Sequence, residues 1–313
     1  MVPAPQESSA APASVPGSLR NLLSGLVDYA GMFPPAELTL EAALRNFLRY
    51  AQGPHAWILG KFVVPAAQLG ELRQFLESVP QAQPVRCGLS VLLGTEPLRD
   101  AEMIQAALSH TPGGVQGARF FIEAVEFRPG SPAIVSEMSA AFRPEVPVFC
   151  EVPLTEDAGV WLTAIRQAGR FAKMRTGGLT VESFPSSAMI AKFMAQCKNQ
   201  EVAFKATAGL HHPVRSQHPL TSEKNSVCGV MHGFLNAFLG AALLEKGISY
   251  GQLVEILDDT RAAGFRFTER FAYWSNLFVN NEEIARARRR LAVSFGSCSF
   301  EEPIQDLQEL GLL

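Results

Sequence analysis

Six strand-like apolar runs, separated by helix-like amphipathic ones, follow one another between Trp57 and Ala208. Their spacing is roughly thirty residues, the length of a βα unit. The strands are expected at 57–64, 85–93, 118–127, 146–152, 171–175 and 202–208. The helices between them are expected at 67–78, 98–108, 133–142, 157–167 and 185–198. Strands that alternate with helices build a parallel sheet covered by helices, because a parallel crossover needs a long return path. This rhythm constrains the fold more than any other feature of the chain.

The flanks are read to match. Residues 18–35 begin with helical spacing and end at Pro34-Pro35, which forbids continuation. Residues 38–50 carry Leu40, Ala43, Leu44, Phe47 and Leu48 at helical spacing, with Thr39 as N-cap. Past Gly209, residues 231–244, 250–257, 272–279 and 282–291 read as helices. Residues 264–268 supply a short seventh strand, 291–300 an eighth, and 301–313 a final helix. The expected fold is an α/β (β/α)8 barrel with a helical N-terminal extension, forming one domain over 19–313 after a disordered tail, 1–18. An open doubly wound sheet is the alternative. No GxGxxG follows the first strand, which argues against a dinucleotide site.

Composition excludes several classes. With 27 basic and 30 acidic residues and no basic arm, nothing favours nucleic acid as a partner. The apolar run 234–244 is too short to span a bilayer and contains Asn236, so no membrane partner is expected. Five scattered cysteines form no CxxC pair. Reduced thiols in a cytoplasmic protein are the simple reading, and residues 1–18 lack the pattern of a signal peptide. The expected partner is a small-molecule substrate, with room for a homo-oligomer.

Chemistry enters through strand parity. Alternate strand residues face a barrel's axis. On one face lie Lys205 and Thr207 of the run 202–208, Lys173 and Arg175 of 171–175, Glu151 of 146–152, and Glu123 of 118–127. Apolar residues take the opposite face, and Lys61 sits late in the first run. Charges are rarely buried unless paired, and barrel active sites form at the C-terminal strand ends. Lys205 is therefore a candidate nucleophile, activated if nearby Lys173 lowers its pKa. Glu151 or His211 would move protons. An ion-pair ladder filling the barrel is the non-catalytic reading of the same pattern.

The loops add binding candidates. Arg175, Thr176, Gly177 and Gly178 could hold an anion, as could Arg215, and Gly296 with Ser297 could cradle a phosphate after the last strand. Thr207, His212, His232 and Asn236 complete the expected substrate contacts. No cofactor is required by this reading; the alternative is a zinc or manganese site using His211 or His212, His232 and Glu151, although HExxH spacing is absent. Asp28 and Tyr29 either lid the barrel or, as the simpler reading, cap a helix. His55 and His110 read as surface residues.

The strand Phe204-Lys205-Ala206-Thr207-Ala208-Gly209 resembles the Lys-Thr-Ser-Thr-Gly strand of class I aldolases of the deoxyribose-phosphate aldolase type. Lys205 and Gly209 match, Thr207 keeps a central hydroxyl, and Ala206 and Ala208 replace the flanking hydroxyls. The resemblance implies a Schiff-base lysine on the sixth barrel strand. The family's second lysine lies on the following strand, whereas Lys173 lies on the preceding one. The expected function is lyase chemistry of aldolase type on a small anionic, optionally phosphorylated, carbonyl compound. A metal-dependent hydrolase or lyase and a non-catalytic metabolite-binding barrel are the alternatives.

Overall fold

The computed structural model describes residues 15–78, 85–109, 118–154, 157–221, 224 and 226–313. Most of the expected tail, up to residue 14, lies outside the described residues, as does His110. Helix α1 (Gly17–Leu23) begins inside the expected tail. Its Ser18 hydroxyl donates to the carbonyls of Thr268 and Phe271 at 2.7 and 2.9 Å.

The chain then runs β1 (Val27–Tyr29), α2 (Leu40–Ala51), β2 (Leu59–Pro65), α3 (Leu69–Ser78), β3 (Val85–Leu92), α4 (Pro97–Ser109) and β4 (Ala118–Phe127). It continues through α5 (Pro132–Ala140), β5 (Val148–Glu151), α6 (Ala158–Gln167), β6 (Phe171–Arg175), α7 (Ser187–Asn199) and β7 (Phe204–Thr207). An excursion follows: the hairpin β8 (Ser216–Pro219) and β9 (Cys228–Met231), α8 (Phe234–Lys246), α9 (Tyr250–Asp258), and strands β10 (Phe265–Phe267), β11 (Phe271–Trp274) and β12 (Leu277–Asn280). Helix α10 (Asn281–Arg290) leads into β13 (Ala292–Ser297), and α11 (Glu301–Glu309) ends the chain.

Strands β1 to β7 and β13 close a barrel, all pairs parallel, with β13 between β7 and β1. This is the (β/α)8 barrel expected from the alternation. Its membership differs at two places. The first strand is β1, inside the segment expected to be helical, so every later strand moves up by one. The run expected as a seventh barrel strand is β10, which lies in an antiparallel sheet with β11 and β12. Residues 272–279, expected as helix, supply most of the other two strands. Ala272, Trp274 and Val279 are buried while Phe278 is exposed, an alternation of period two carried by aromatic and β-branched residues. One missed strand and one miscounted strand leave the total at eight.

The strands bury one face against the helices and point the other at the axis. Thr39 caps α2 by accepting from the Ala42 N–H. Phe193 of α7 meets Phe204 edge-on at 5.6 Å, and Phe234 and Phe238 of α8 pack on Phe295 of β13. Helix α8 is buried throughout 234–244, which explains why all of that run except Asn236 is apolar or Gly. No helix among the described residues is long and apolar enough to cross a membrane.

Candidate functional site

The parallel register places Glu151, Lys173 and Lys205 side by side on β5, β6 and β7. Inside the barrel these side chains join a continuous chain of alternating charge. The Lys205 ammonium donates to Asp28 Oδ2 at 2.7 Å and to Glu126 Oε1 at 2.5 Å. Lys173 Nζ lies 3.1 Å from Glu126 Oε2 and 3.1 Å from Glu151 Oε2. Arg175 Nε closes the row on Glu151 Oε1 at 3.1 Å. Hydroxyls complete the shell: Ser90 donates to Glu126 at 2.6 Å and Ser294 to Asp28 at 2.8 Å. The Lys61 backbone N–H donates to the other Asp28 oxygen at 2.7 Å.

Except at Arg175 this chain is buried; the Lys205 side chain is only 1 % exposed. Burial would drive each acid towards its neutral form, but the adjacent cations prevail. For Asp28, burial is outweighed by Lys205 and Lys61, and its pKa falls below the ordinary value. For Glu126, Lys205 and Lys173 overcome burial and hold the carboxyl well below its usual range. Lys173 and Arg175 do the same for Glu151. Burial alone would lower the Lys205 pKa, yet Asp28 and Glu126 raise it above the ordinary lysine value. The expectation that a second lysine would depress Lys205 is corrected by this geometry, because the Glu126 carboxylate bridges the two amines.

Two of these acids are not singled out by the sequence pattern, each for a local reason. In β4 the register jumps from Leu89 opposite Ile122 to Ser90 opposite Ala124, leaving Glu123 as the extra residue. Such a bulge reverses parity, so both Glu123 and Glu126 face inward. Glu123 lies over Gly88, where an added Cβ would come within 2.5 Å of its carboxylate. Asp28 sits in a three-residue strand, too short for its pattern to stand out. It is a barrel-floor residue and not a helix cap. Gly60 makes room for it, since a Cβ there would meet Asp28 Oδ1 at 2.4 Å.

Above the charged floor lies a cavity of about 350 Å³ at the C-terminal mouth of the barrel. Glu126, Lys173, Lys205, Arg175, Thr207 and His211 contribute its polar lining. The turn containing Phe33 and the cis Pro34-Pro35 bond, together with Leu220 and Met231 of the hairpin, forms part of its wall. Of the two readings of Asp28 and Tyr29, lid or helix cap, neither describes them; the turn that follows them lines the cavity instead. No family model, curated protein or solved structure matches this chain.

The remaining candidates fall into three groups. His211 lines the cavity and holds Glu302 of α11 at 3.0 Å through Nδ1. Its neighbour His212 pairs with Asp306 at 2.6 Å and stacks on His218. The hydrogen bond from His211 lowers the Glu302 pKa. Arg215, His232 and Asn236 form a knot behind the mouth. His232 contacts Arg215 at 2.9 Å and donates to the Pro185 carbonyl at 2.7 Å, and burial pushes its pKa down to about 4. Asn236 donates to the carbonyls of Ile256 and Asp259 and accepts from the Arg215 N–H. None of these three lines the cavity, and Arg215 also faces Asp258 at 3.6 Å.

The segment after β6 is largely taken up by packing. Thr176 donates its hydroxyl to the Ala208 carbonyl, tying β6 to β7. Gly177 lies against Gly209, where a Cβ would come within 2.7 Å of the Gly177 Cα at φ +74°. Gly178 lines the cavity, as does Gly296, whereas Ser297 is buried beside His211. The alternative metal set is dispersed: His232, His211, His212 and Glu151 each have the partners named above. Among the described residues no group of three or more His, Cys, Asp or Glu is arranged to hold a metal ion.

Proposed function

We propose that this barrel is a lyase of aldolase type acting on a small anionic carbonyl compound, with Lys173 as the amine that forms the Schiff base. The observation that carries this reading is the position of Lys173 on the cavity floor, 3.1 Å from both Glu126 and Glu151. The strand count supports it. With β1 included, Lys173 stands on the sixth barrel strand and Lys205 on the next. The two lysines thus stand on the strands that the family uses, but the motif around Lys205 that carried the resemblance lies on the seventh strand. The nucleophile is reassigned from Lys205 to Lys173 on its place in the barrel, not on that motif.

The charge pattern suits such a step. Attack requires Lys173 to pass a proton to a flanking carboxylate, and Glu126 and Glu151 both lie 3.1 Å away, Glu126 lining the cavity. The amine adds to the carbonyl carbon, and the carbinolamine hydroxyl leaves as water with the returned proton. An ammonium and a carbonyl thus give an iminium and water. The iminium bears the same single positive charge as the ammonium, so Glu126 and Glu151 regain a cationic partner when it forms; the carbinolamine and the enamine are neutral. His211, which lines the cavity, then takes the proton of the substrate's β-hydroxyl. The carbon–carbon bond breaks, its electron pair flows into the iminium, and an aldehyde departs. Protonation of the enamine and hydrolysis return the lysine. Arg175, whose side chain is 49 % exposed, holds the substrate anion. Lys205 remains an ammonium that fixes Asp28 and Glu126.

Borohydride reduction during turnover of aldehydes or 2-oxo acids tests the assignment. A mass adduct confined to the peptide containing Lys173, and absent in Lys173→Met, is expected. An adduct on Lys205 would return the role to that residue. Turnover without any adduct would favour a second reading suggested by the raised Lys205 pKa, in which the buried ammoniums only polarise the carbonyl.

A further inference from the structure

The cavity combines a charge-balanced floor with apolar walls, and this combination narrows the ligand. On the floor, Asp28, Glu126 and Glu151 carry three negative charges, and Lys173, Lys205 and Arg175 carry three positive ones. Three minus three leaves no surplus. Lys61 and Glu123, which both lie over Gly88, cancel likewise. At the mouth, His211 is already engaged by Glu302. Lys173 and Lys205 each spend two contacts on carboxylates, and Arg175 sets Nε and Nη2 on the two Glu151 oxygens at 3.1 and 3.5 Å. Among these cations Arg175 is the one whose side chain is half exposed, leaving its outer Nη1–Nη2 edge for a ligand. With no surplus, an added anion is met only by the exposed edge of Arg175 and by water at the mouth, so a phosphate dianion would cost more here than a singly charged carboxylate. A carboxylate fits the planar outer Nη1–Nη2 edge of Arg175 that Glu151 leaves open.

The walls point the same way. Phe33 after β1, Leu92 at the end of β3, Leu179 and Phe184 after β6, and Leu220 and Met231 on the β8–β9 hairpin enclose the space above the lysines. A polyhydroxylated substrate would lose its water here and find few donors or acceptors in exchange. The volume, about 350 Å³, is at the small end of ligand pockets, which span roughly 300–1,000 Å³.

We propose that the substrate is a monoanionic oxo-carboxylate with an apolar aliphatic or aryl body, and not a phosphorylated sugar. Its carboxylate meets Arg175, its carbonyl lies over Lys173, and its apolar part fills the space between the Phe33 turn and the hairpin. This rests on the lyase reading for the carbonyl, but the polarity argument concerns binding alone, so the two can be tested apart.

Binding is measured by calorimetry and ligand-induced melting shifts, using probes without a carbonyl that cannot form an imine: propanoate, 4-methylpentanoate, 3-phenylpropanoate and glycerol 3-phosphate. The apolar acids should bind, with Kd tightening by about fourfold for each added buried methylene. Arg175→Gln should weaken all of them, and Leu220→Asn should flatten the methylene series while leaving propanoate unchanged. Tighter binding of glycerol 3-phosphate than of 3-phenylpropanoate would overturn the proposal, as would the absence of binding by every carboxylate. Apolar acids that bind to a protein whose Lys173 is never trapped by borohydride would sink the imine and leave this inference standing.

Discussion

Acids face bases at both the floor and the mouth of this barrel, under opposite conditions. On the floor, Asp28, Lys205, Glu126, Lys173 and Glu151 form an uninterrupted run of buried contacts. At the mouth, Glu302 and Asp306 hold His211 and His212, but their side chains are 42 % and 26 % exposed. Buried groups cannot change charge singly without stranding a neighbour in a medium that solvates it poorly. Groups at the rim can, because water replaces the lost partner. The floor is therefore suited to passing a proton only between paired members, as from Lys173 to a flanking carboxylate, and the mouth to exchanging protons with solvent.

Glu126 offers the sharpest way to break this contrast, since its carboxylate joins both lysines. Glu126→Gln removes the charge between two buried ammoniums and should cost about 3–5 kcal/mol of stability, the usual penalty for orphaning one side of a buried pair. Urea unfolding measures it; a loss below about 1 kcal/mol, as for an exposed pair, would show that the floor behaves like the surface. Gly60→Ala attacks the same network through sterics. A Cβ within 2.4 Å of Asp28 Oδ1 should displace that carboxylate and destabilise by about 1–3 kcal/mol, as overpacking does.

The pH dependence should separate the regions further. The folded-state pKa values of Asp28, Glu126 and Glu151 lie below their unfolded values. Their contribution is fully present above the unfolded values, about 3.9 for Asp and 4.3 for Glu, and is lost as pH falls through the folded ones. Lys205 has the opposite sign, contributing below about 10.4 and losing its contribution as pH rises through its elevated folded value. Unfolding free energies from pH 7 down to 3 should fall more steeply for the wild type than for Glu126→Gln. Equal slopes would remove Glu126 from the account. The smallest effect is expected at the mouth. Glu302→Gln or Asp306→Asn should change stability by about 1 kcal/mol or less, and by still less at high salt. A larger, salt-insensitive loss would mean the mouth is as closed as the floor.

Strand parity makes much of the floor legible in the amino-acid sequence. Glu151, Lys173, Arg175 and Lys205 can be assigned to one face because β5, β6 and β7 are regular, and period two survives in regular strands. Glu126 cannot, because a bulge is visible only once the register against β3 is known. Asp28 is hidden in three residues of strand between a helix and a proline turn, and Glu302 and Asp306 in an ordinary amphipathic C-terminal helix. The hairpin walling the cavity and the strands β11 and β12 follow from no periodicity long enough to be recognised, and β10, legible as a strand, could not be assigned to their sheet.

The sequence by itself determined the alternating architecture and the charged inward face of three neighbouring strands. These depend on local periodicity and backbone chemistry, which act over a few residues. Only the tertiary structure decided which acids meet the lysines, that Lys205 is held as an ammonium, and that Lys173 belongs to the sixth strand. Those outcomes depend on barrel closure, which brings residues as distant as Asp28 and Lys205 into hydrogen-bonding contact and excludes the water that would otherwise screen their charges.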